Sequence, residues 1–111
     1  MESILTSVKK MLGIEEDYEH FDPDIIMHIN SVLAILTQVG VGAADGFTIK
    51  DKTATWDDFF GEGSANLEPV KTYVYMKVRL MFDPPTSSAA MDSITKIANE
   101  LEWRLNVAAD K

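Results

Sequence analysis

The side chains best suited to chemistry in this sequence are two histidines and a run of carboxylates. His20 ends the acidic segment 15–20. A metal site would need ligands at a recurring spacing, such as two histidines four residues apart on a helix, and no such pair is present. His28 lies among apolar residues with no serine or cysteine nucleophile marked out beside it. The sequence therefore predicts no catalytic residues, no metal site and no cofactor.

The charge balance is acidic, with 18 Asp and Glu against 10 Lys and Arg, which gives a net charge of -8. Nucleic-acid affinity comes largely from basic groups that displace phosphate counterions, so this balance argues against a dedicated nucleic-acid binder. The charge is still compatible with a protein past which DNA moves without being bound. A requirement for solubility explains the negative charge equally well. The two glycines at 61 and 63 lack the Gly-Lys-Ser/Thr that completes a phosphate-binding loop.

The composition predicts one soluble globular domain over residues 1–111. The chain has 111 residues, of which 46% are hydrophobic and 25% charged, as in ordinary globular domains. There is no cysteine, which excludes disulfides and thiolate chemistry and fits a reducing cytosol. The first residues lack the features of a signal peptide, and no stretch approaches the roughly 20 apolar residues of a membrane span. We therefore expect a soluble, intracellular protein.

Four helical segments follow from apolar spacing and capping signals. The first covers about 3–12, with Ser3 as N-cap and Gly13 as the stop. The second is opened by Asp22 as N-cap with Pro23 in the first turn, and it is ended by the glycines at 40 and 42. The third covers 67–82, with Asn66 as cap. Its apolar residues occupy nearly the whole circumference, which predicts burial on more than one side.

The last helix is predicted over about 88–108, after the Asp-Pro-Pro sequence 83–85 ends the third. Serines and a threonine at 86–88 supply candidate caps. Its inner stripe is predicted to be Met91, Ile94, Ile97, Ala98, Leu101 and Leu105. Trp103 lies about 200° from Leu101 and points away from that stripe. Its indole either packs on the surface of its own helix or is an anchor buried in an interface, and the sequence does not decide between these two alternatives.

The middle segment, 41–65, is the least regular. Residues 47–50 alternate and pair at best with 53–55 in a minimal hairpin, and Thr55 resembles a cap for a short helix that stops at Gly61. Trp56, Phe59 and Phe60 are expected to lay the segment onto the helices as a lid. We also expect it to be the most mobile part of an isolated protomer and to become ordered on assembly. The predicted fold is all-α, a small bundle of about four helices with this aromatic-rich segment between the second and third.

Two stretches carry a family resemblance. The sequence of 73–85, which contains Lys-x-Arg-Leu-x-Phe-Asp-Pro-Pro, is followed at a fitting distance by 97–105, which contains Glu-Leu-Glu-Trp-Arg-Leu. Together they resemble the C-terminal half of small head–tail connector proteins of long-tailed bacteriophages and prophages, also called head-completion or DNA-packaging proteins. The short N-terminal helix, the Asp-Pro opening of the second helix and the aromatic middle segment agree with that family in order and size.

The resemblance implies a structural role without catalysis or cofactor. Copies of the chain would form a ring of about a dozen subunits beneath the portal. That ring would extend the DNA channel without sequence-specific binding and dock the next neck or tail-completion protein. The expected location is the virion neck, reached from the host cytoplasm during assembly.

The residues expected at the subunit interface are Tyr75, Lys77, Arg79, Phe82 and Trp103. Lys77 and Arg79 are predicted to pair with acidic residues of a neighbour, such as Glu100 or Glu102. The alternative is a small acidic interaction module or regulator of phage or bacterial origin, monomeric or dimeric. An enzyme is the third reading, and it is disfavoured because the carboxylates are spread along polar helix faces instead of gathered in one pocket.

Overall fold

The computed structural model describes residues 2–42, 46–61 and 67–109. Within these ranges the chain forms five α-helices and no strand, which confirms the predicted all-α class. The helices are α1 (Ile4–Leu12), α2 (Asp22–Gln38), α3 (Trp56–Phe60), α4 (Leu67–Phe82) and α5 (Ser88–Ala109). None of the helices in the described ranges is long and apolar enough to cross a membrane.

Helix α1 begins and ends where its capping residues predict. The Ser3 hydroxyl accepts a hydrogen bond from the Thr6 backbone N–H at 3.1 Å, which satisfies one of the free donors of the first turn. Gly13 adopts a left-handed conformation, with φ 81°, and its N–H bonds back into the last turn. The apolar face of α1 places Ile4, Leu5 and Val8 in the core.

The start of α2 differs from the prediction. Asp22 is the first helical residue and not the N-cap, a position that Phe21 occupies without a side-chain hydrogen bond. The Asp22 carboxylate instead lies 2.9 Å from the ammonium of Lys9, which is only 2% exposed. A buried ammonium needs a counter-charge, and that demand outweighs a local cap. Pro23 lies in the first turn as predicted, and α2 ends at Gln38, just before Gly40.

Helix α4 is the centre of the bundle, which agrees with the burial on more than one side that its apolar circumference predicts. It packs against α1, α2 and α5. Val70, Tyr73, Val74 and Val78 are completely buried along it. The helix ends at Phe82, directly before the Asp-Pro-Pro sequence. The predicted cap, Asn66, lies outside the described residues.

Helix α5 shows that the predicted inner stripe is only half correct. Ala98 and Leu105 are buried, and Leu101 packs against the core. Ile97 is 46% exposed, and the two stripe residues before it lie outside the core. The C-terminal half of α5 also reaches the end of α2, where the Asn106 side chain donates to the Val39 carbonyl at 3.4 Å. The N-terminal half of α5 is therefore less enclosed than the C-terminal half.

The cap of α5 comes from the residue just before it. The Ser87 hydroxyl accepts a hydrogen bond from the Ala90 N–H at 3.2 Å, so Ser87 is the cap among the three candidates at 86–88.

The predicted hairpin in the middle segment is not formed within residues 46–61. Ile49 pairs instead with the Asn30 side chain of α2, donating its N–H at 2.7 Å and accepting from the amide at 3.0 Å. One side-chain amide thus satisfies both backbone groups that a partner strand would satisfy. Ile49 is thereby held in the core at 2% exposure.

Helix α3 closes the middle segment over the bundle. Thr55 and Asp58 form a reciprocal capping box, and the helix stops at Gly61 as predicted. Just before it, hydrogen bonds from the side chain and backbone of Thr53 lower the pKa of Asp51. Trp56 and Phe59 are buried, which confirms the predicted lid. Residues 43–45 and 62–65 lie outside the described ranges, and the expected mobility of the segment stays a prediction.

Candidate assembly surfaces

The described residues hold no arrangement that resembles a metal centre. No three or more His, Asp or Glu side chains within them are grouped so that they could hold an ion. The informative features are instead exposed apolar side chains and charges that have no partner in the protomer.

Tyr75 and Arg79 form one unit on α4. The Arg79 Nη1 donates to the Tyr75 hydroxyl at 3.0 Å across one helical turn. This hydrogen bond raises the pKa of the guanidinium. The Arg79 Nε is buried and has no hydrogen-bond partner, and no carboxylate of the described residues lies within ion-pair distance of Arg79. The charge of the nearby Asp83 also raises the pKa of Arg79, but the guanidinium forms no ion pair within the described residues.

Lys77 does not share the surface of Arg79. Two residues correspond to a rotation of about 200° around an α-helix, so the two side chains leave α4 on opposite sides. Lys77 is partly exposed. The predicted interface residues on α4 therefore do not form a single patch: the structure joins Tyr75 to Arg79 and separates both from Lys77.

Phe82 lies in an aromatic cluster of the protomer itself. Its ring packs edge-to-face on Phe21 at a centroid distance of 5.3 Å and lies 6.4 Å from the His28 ring. Phe82 is partly buried and packs against the core. This contact joins the start of α2 to the end of α4, so folding already uses much of the Phe82 ring.

Trp103 is the most exposed large apolar residue of the described ranges, at 66%. Val107 follows one turn later on the same side of α5 and is 50% exposed. The protomer therefore leaves an apolar surface on the outer side of α5. This excludes a core role for Trp103.

The acidic residues predicted to meet a neighbour already have partners within the protomer. The Glu102 carboxylate accepts from the Tyr73 hydroxyl at 2.6 Å. Burial of the Tyr73 hydroxyl, followed by this carboxylate, raises the pKa of Tyr73 well above its usual value. Glu100 pairs with Arg104 at 2.9 Å. Any neighbour of Arg79 would therefore compete with these contacts if it approached Glu100 or Glu102.

Sequence reasoning missed the role of Lys9. Its ammonium donates to the Glu16 and Tyr18 backbone carbonyls at 2.9 and 2.8 Å, in addition to its contact with Asp22. The Asp22 Oδ1 is buried and has no aligned hydrogen bond, so its contact with Lys9 is ionic. The signal was present in the sequence, because Lys9 lies four residues after Leu5 on the apolar face of α1.

The segment that Lys9 holds, residues 13–21, is named here the acidic connector. Its side chains from 15 to 20 are all exposed. The connector carries an open groove lined by Gly13, Ile14, Glu15, Asp17 and Tyr18. The Tyr18 side chain is 50% exposed at this groove. The groove thus combines apolar surface with negative charge.

Comparison with known proteins gives one match. The model of a family described as phage connector protein matches residues 4–111 of the chain. No curated protein and no solved structure matches it. The family is a structural one, and the match extends well beyond the two stretches, 73–85 and 97–105, that carry the resemblance in the sequence.

Proposed function

Because this chain belongs to the phage connector protein family, we propose that it is a head–tail connector subunit whose activity is assembly. Copies of the chain form a ring beneath the portal of the phage head. The ring continues the DNA channel and offers a docking surface to the next neck or tail-completion protein. The location of the assembled protein is the virion neck.

The family match over residues 4–111 is the observation that carries this proposal. The exposed surface of the protomer supports it, since Trp103 and Val107 lie one turn apart on the same side of α5 and are 66% and 50% exposed. Adjacent large apolar side chains that the protomer leaves uncovered are typical of surfaces that a partner covers. The interface residues of the proposal remain Tyr75, Lys77, Arg79, Phe82 and Trp103.

The net charge of -8 fits a ring through which DNA moves. Phosphate groups bind tightly where lysine and arginine displace their counterions. An acidic subunit offers little such binding, so packaged DNA passes without being held. No sequence-specific nucleic-acid contact is part of this proposal.

Native mass spectrometry of the purified protein tests the proposal directly. We expect oligomers of more than about eight copies, because the proposed ring contains about a dozen subunits. Negative-stain electron microscopy of the same sample should show rings with a central opening. A protein that remains monomeric or dimeric over the whole concentration range contradicts the ring and favours a small acidic interaction module.

A further inference from the structure

The groove of the acidic connector is an open surface on a segment whose backbone Lys9 holds against α1. The buried Lys9 binds two backbone carbonyls of the connector, at Glu16 and Tyr18. Holding a lysine at 2% exposure is costly unless its donors are satisfied, and here the main chain of the loop satisfies two of them. The backbone of the connector is therefore turned toward α1, while its carboxylates project into solvent.

These carboxylates are uncompensated in the protomer. Among the described residues, Glu15, Glu16, Asp17 and Glu19 form no ion pair, whereas the side chains of Glu2, Asp22 and Glu100 all do. The aromatic ring of Tyr18 lies beside two of the free carboxylates in the lining of the groove. An aromatic face next to carboxylates fits a cationic side chain with an apolar stem, above all arginine.

The same protomer presents a fitting cation elsewhere. Among the described cations of α4 and α5, Lys71 pairs with Glu2 and Arg104 with Glu100, whereas Lys77, Arg79 and Lys96 form no ion pair. Of these three, Arg79 is the one whose side chain is held by a hydrogen bond. The hydrogen bond to Tyr75 holds the guanidinium in place before any partner arrives. An arginine ordered in advance loses less side-chain freedom on binding than a free lysine, and arginine is enriched among interface anchors.

We propose that the connector groove of one protomer receives the Arg79 side chain of a second copy of this chain. The inference rests on the proposed ring, for which it names the two surfaces that meet. Each protomer carries both surfaces, the groove on the connector and the Tyr75–Arg79 pair on α4. Because the two surfaces differ, such a contact can repeat head-to-tail, and it closes a ring when the rotation between successive copies divides a full turn.

Charge reversal with complementation tests the pairing. The groove variant carries Glu15→Lys and Asp17→Lys, and the helix variant carries Arg79→Glu. Each alone should raise the concentration at which the oligomer dissociates by at least about tenfold, because like charges then meet at every contact. An equal mixture of the two variants should assemble again, because alternating subunits place each reversed groove against a reversed helix. The chain with all three substitutions should also assemble.

Controls separate charge contact from folding and from net charge. Lys52→Glu changes the net charge as Arg79→Glu does, on an exposed residue outside α4 and α5, and should leave assembly unchanged. Arg79→Gln removes the charge with little change in size and should weaken assembly less than Arg79→Glu. Circular dichroism and thermal melting of every variant should match the wild type.

Three results would overturn the pairing. The first is normal assembly of the groove variant or of the helix variant alone. The second is a loss of assembly in Lys52→Glu as large as that in Arg79→Glu. The third is failure of the groove and helix variants, both folded, to assemble when they are mixed. A wild-type protein that forms no oligomer would instead reject the ring itself. The failure of this inference and the failure of the proposed function are thus distinguishable.

Discussion

Replacing Trp103 with alanine should weaken assembly while leaving the protomer folded, because the indole lies outside the core. The residue is 66% exposed and faces away from the buried positions of α5. Leu105 provides the matched control on the same helix, since it is 3% exposed and belongs to the core. Leu105→Ala should reduce folding stability by about 2–5 kcal/mol through the lost contacts and the cavity.

The size of the Trp103 effect follows from its exposed area. A tryptophan presents about 250 Å², so 66% exposure leaves roughly 165 Å² for a neighbour to cover. At about 25 cal/mol per Å², full coverage contributes about 4 kcal/mol, or roughly a thousandfold in each contact equilibrium. The area already covered in the protomer, about 85 Å², sets an upper bound of about 2 kcal/mol on the folding effect. Part of that area belongs to the main chain and is kept in the alanine variant.

Sedimentation velocity and circular dichroism on the two variants decide the matter. Trp103→Ala should shift the sedimentation profile toward the protomer at concentrations where the wild type is assembled, with unchanged helical content. Leu105→Ala should instead act mainly on folding, by lowering the melting temperature of the protomer. If Trp103→Ala unfolds the protomer, the indole stabilises the folded protomer itself and its assignment to the interface is wrong. If the assembly stays intact, the outer face of α5 is not an interface.

Two further substitutions test contacts inside the protomer. In the wild type, the raised pKa of Tyr73 keeps the folded state protonated above pH 10, while the unfolded state ionises. The free energy of unfolding of the wild type should therefore fall by about 1.4 kcal/mol per pH unit above that pH, and the Tyr73→Phe variant should lack this decrease. Urea denaturation of both proteins from pH 9 to 11.5 measures it. The same pH dependence in wild type and variant would contradict the prediction. Lys9→Met should cost about 2 kcal/mol, less than for a fully buried pair because Asp22 is 20% exposed. It should also speed amide exchange in the connector, and unchanged exchange there would show that Lys9 does not hold the loop.

The helices themselves were largely determined by local sequence. Ser3 caps the start of α1 and Gly13 caps its end, through hydrogen bonds that span only a few residues. Helix α4 ends at Phe82 because prolines follow shortly after it. The apolar circumference of α4 correctly predicted its burial on more than one side. The orientation of Trp103 followed from the 3.6-residue period alone. The family resemblance, read from 73–85 and 97–105, was confirmed by the match over 4–111.

Only the tertiary structure decided which of several locally equivalent partners each polar group takes. Aspartate is a favourable N-cap residue, but the Asp22 carboxylate forms an ion pair with Lys9, thirteen residues earlier in the chain, once α1 and α2 pack together. Ile49 finds its backbone partner in a side chain of α2 instead of in a strand. These contacts join segments far apart in sequence, and periodicity carries no information about them.

The same limit applies to the candidate assembly surfaces. Sequence reasoning grouped Lys77 with Arg79 and offered Glu100 and Glu102 as their partners. The structure instead commits Glu102 to Tyr73 and leaves the connector carboxylates free. A residue's type and spacing determine what it is able to bind. Whether it is still free to bind depends on what the folded chain has already placed beside it, because a charge that is paired and desolvated within the protomer gives little to a neighbour.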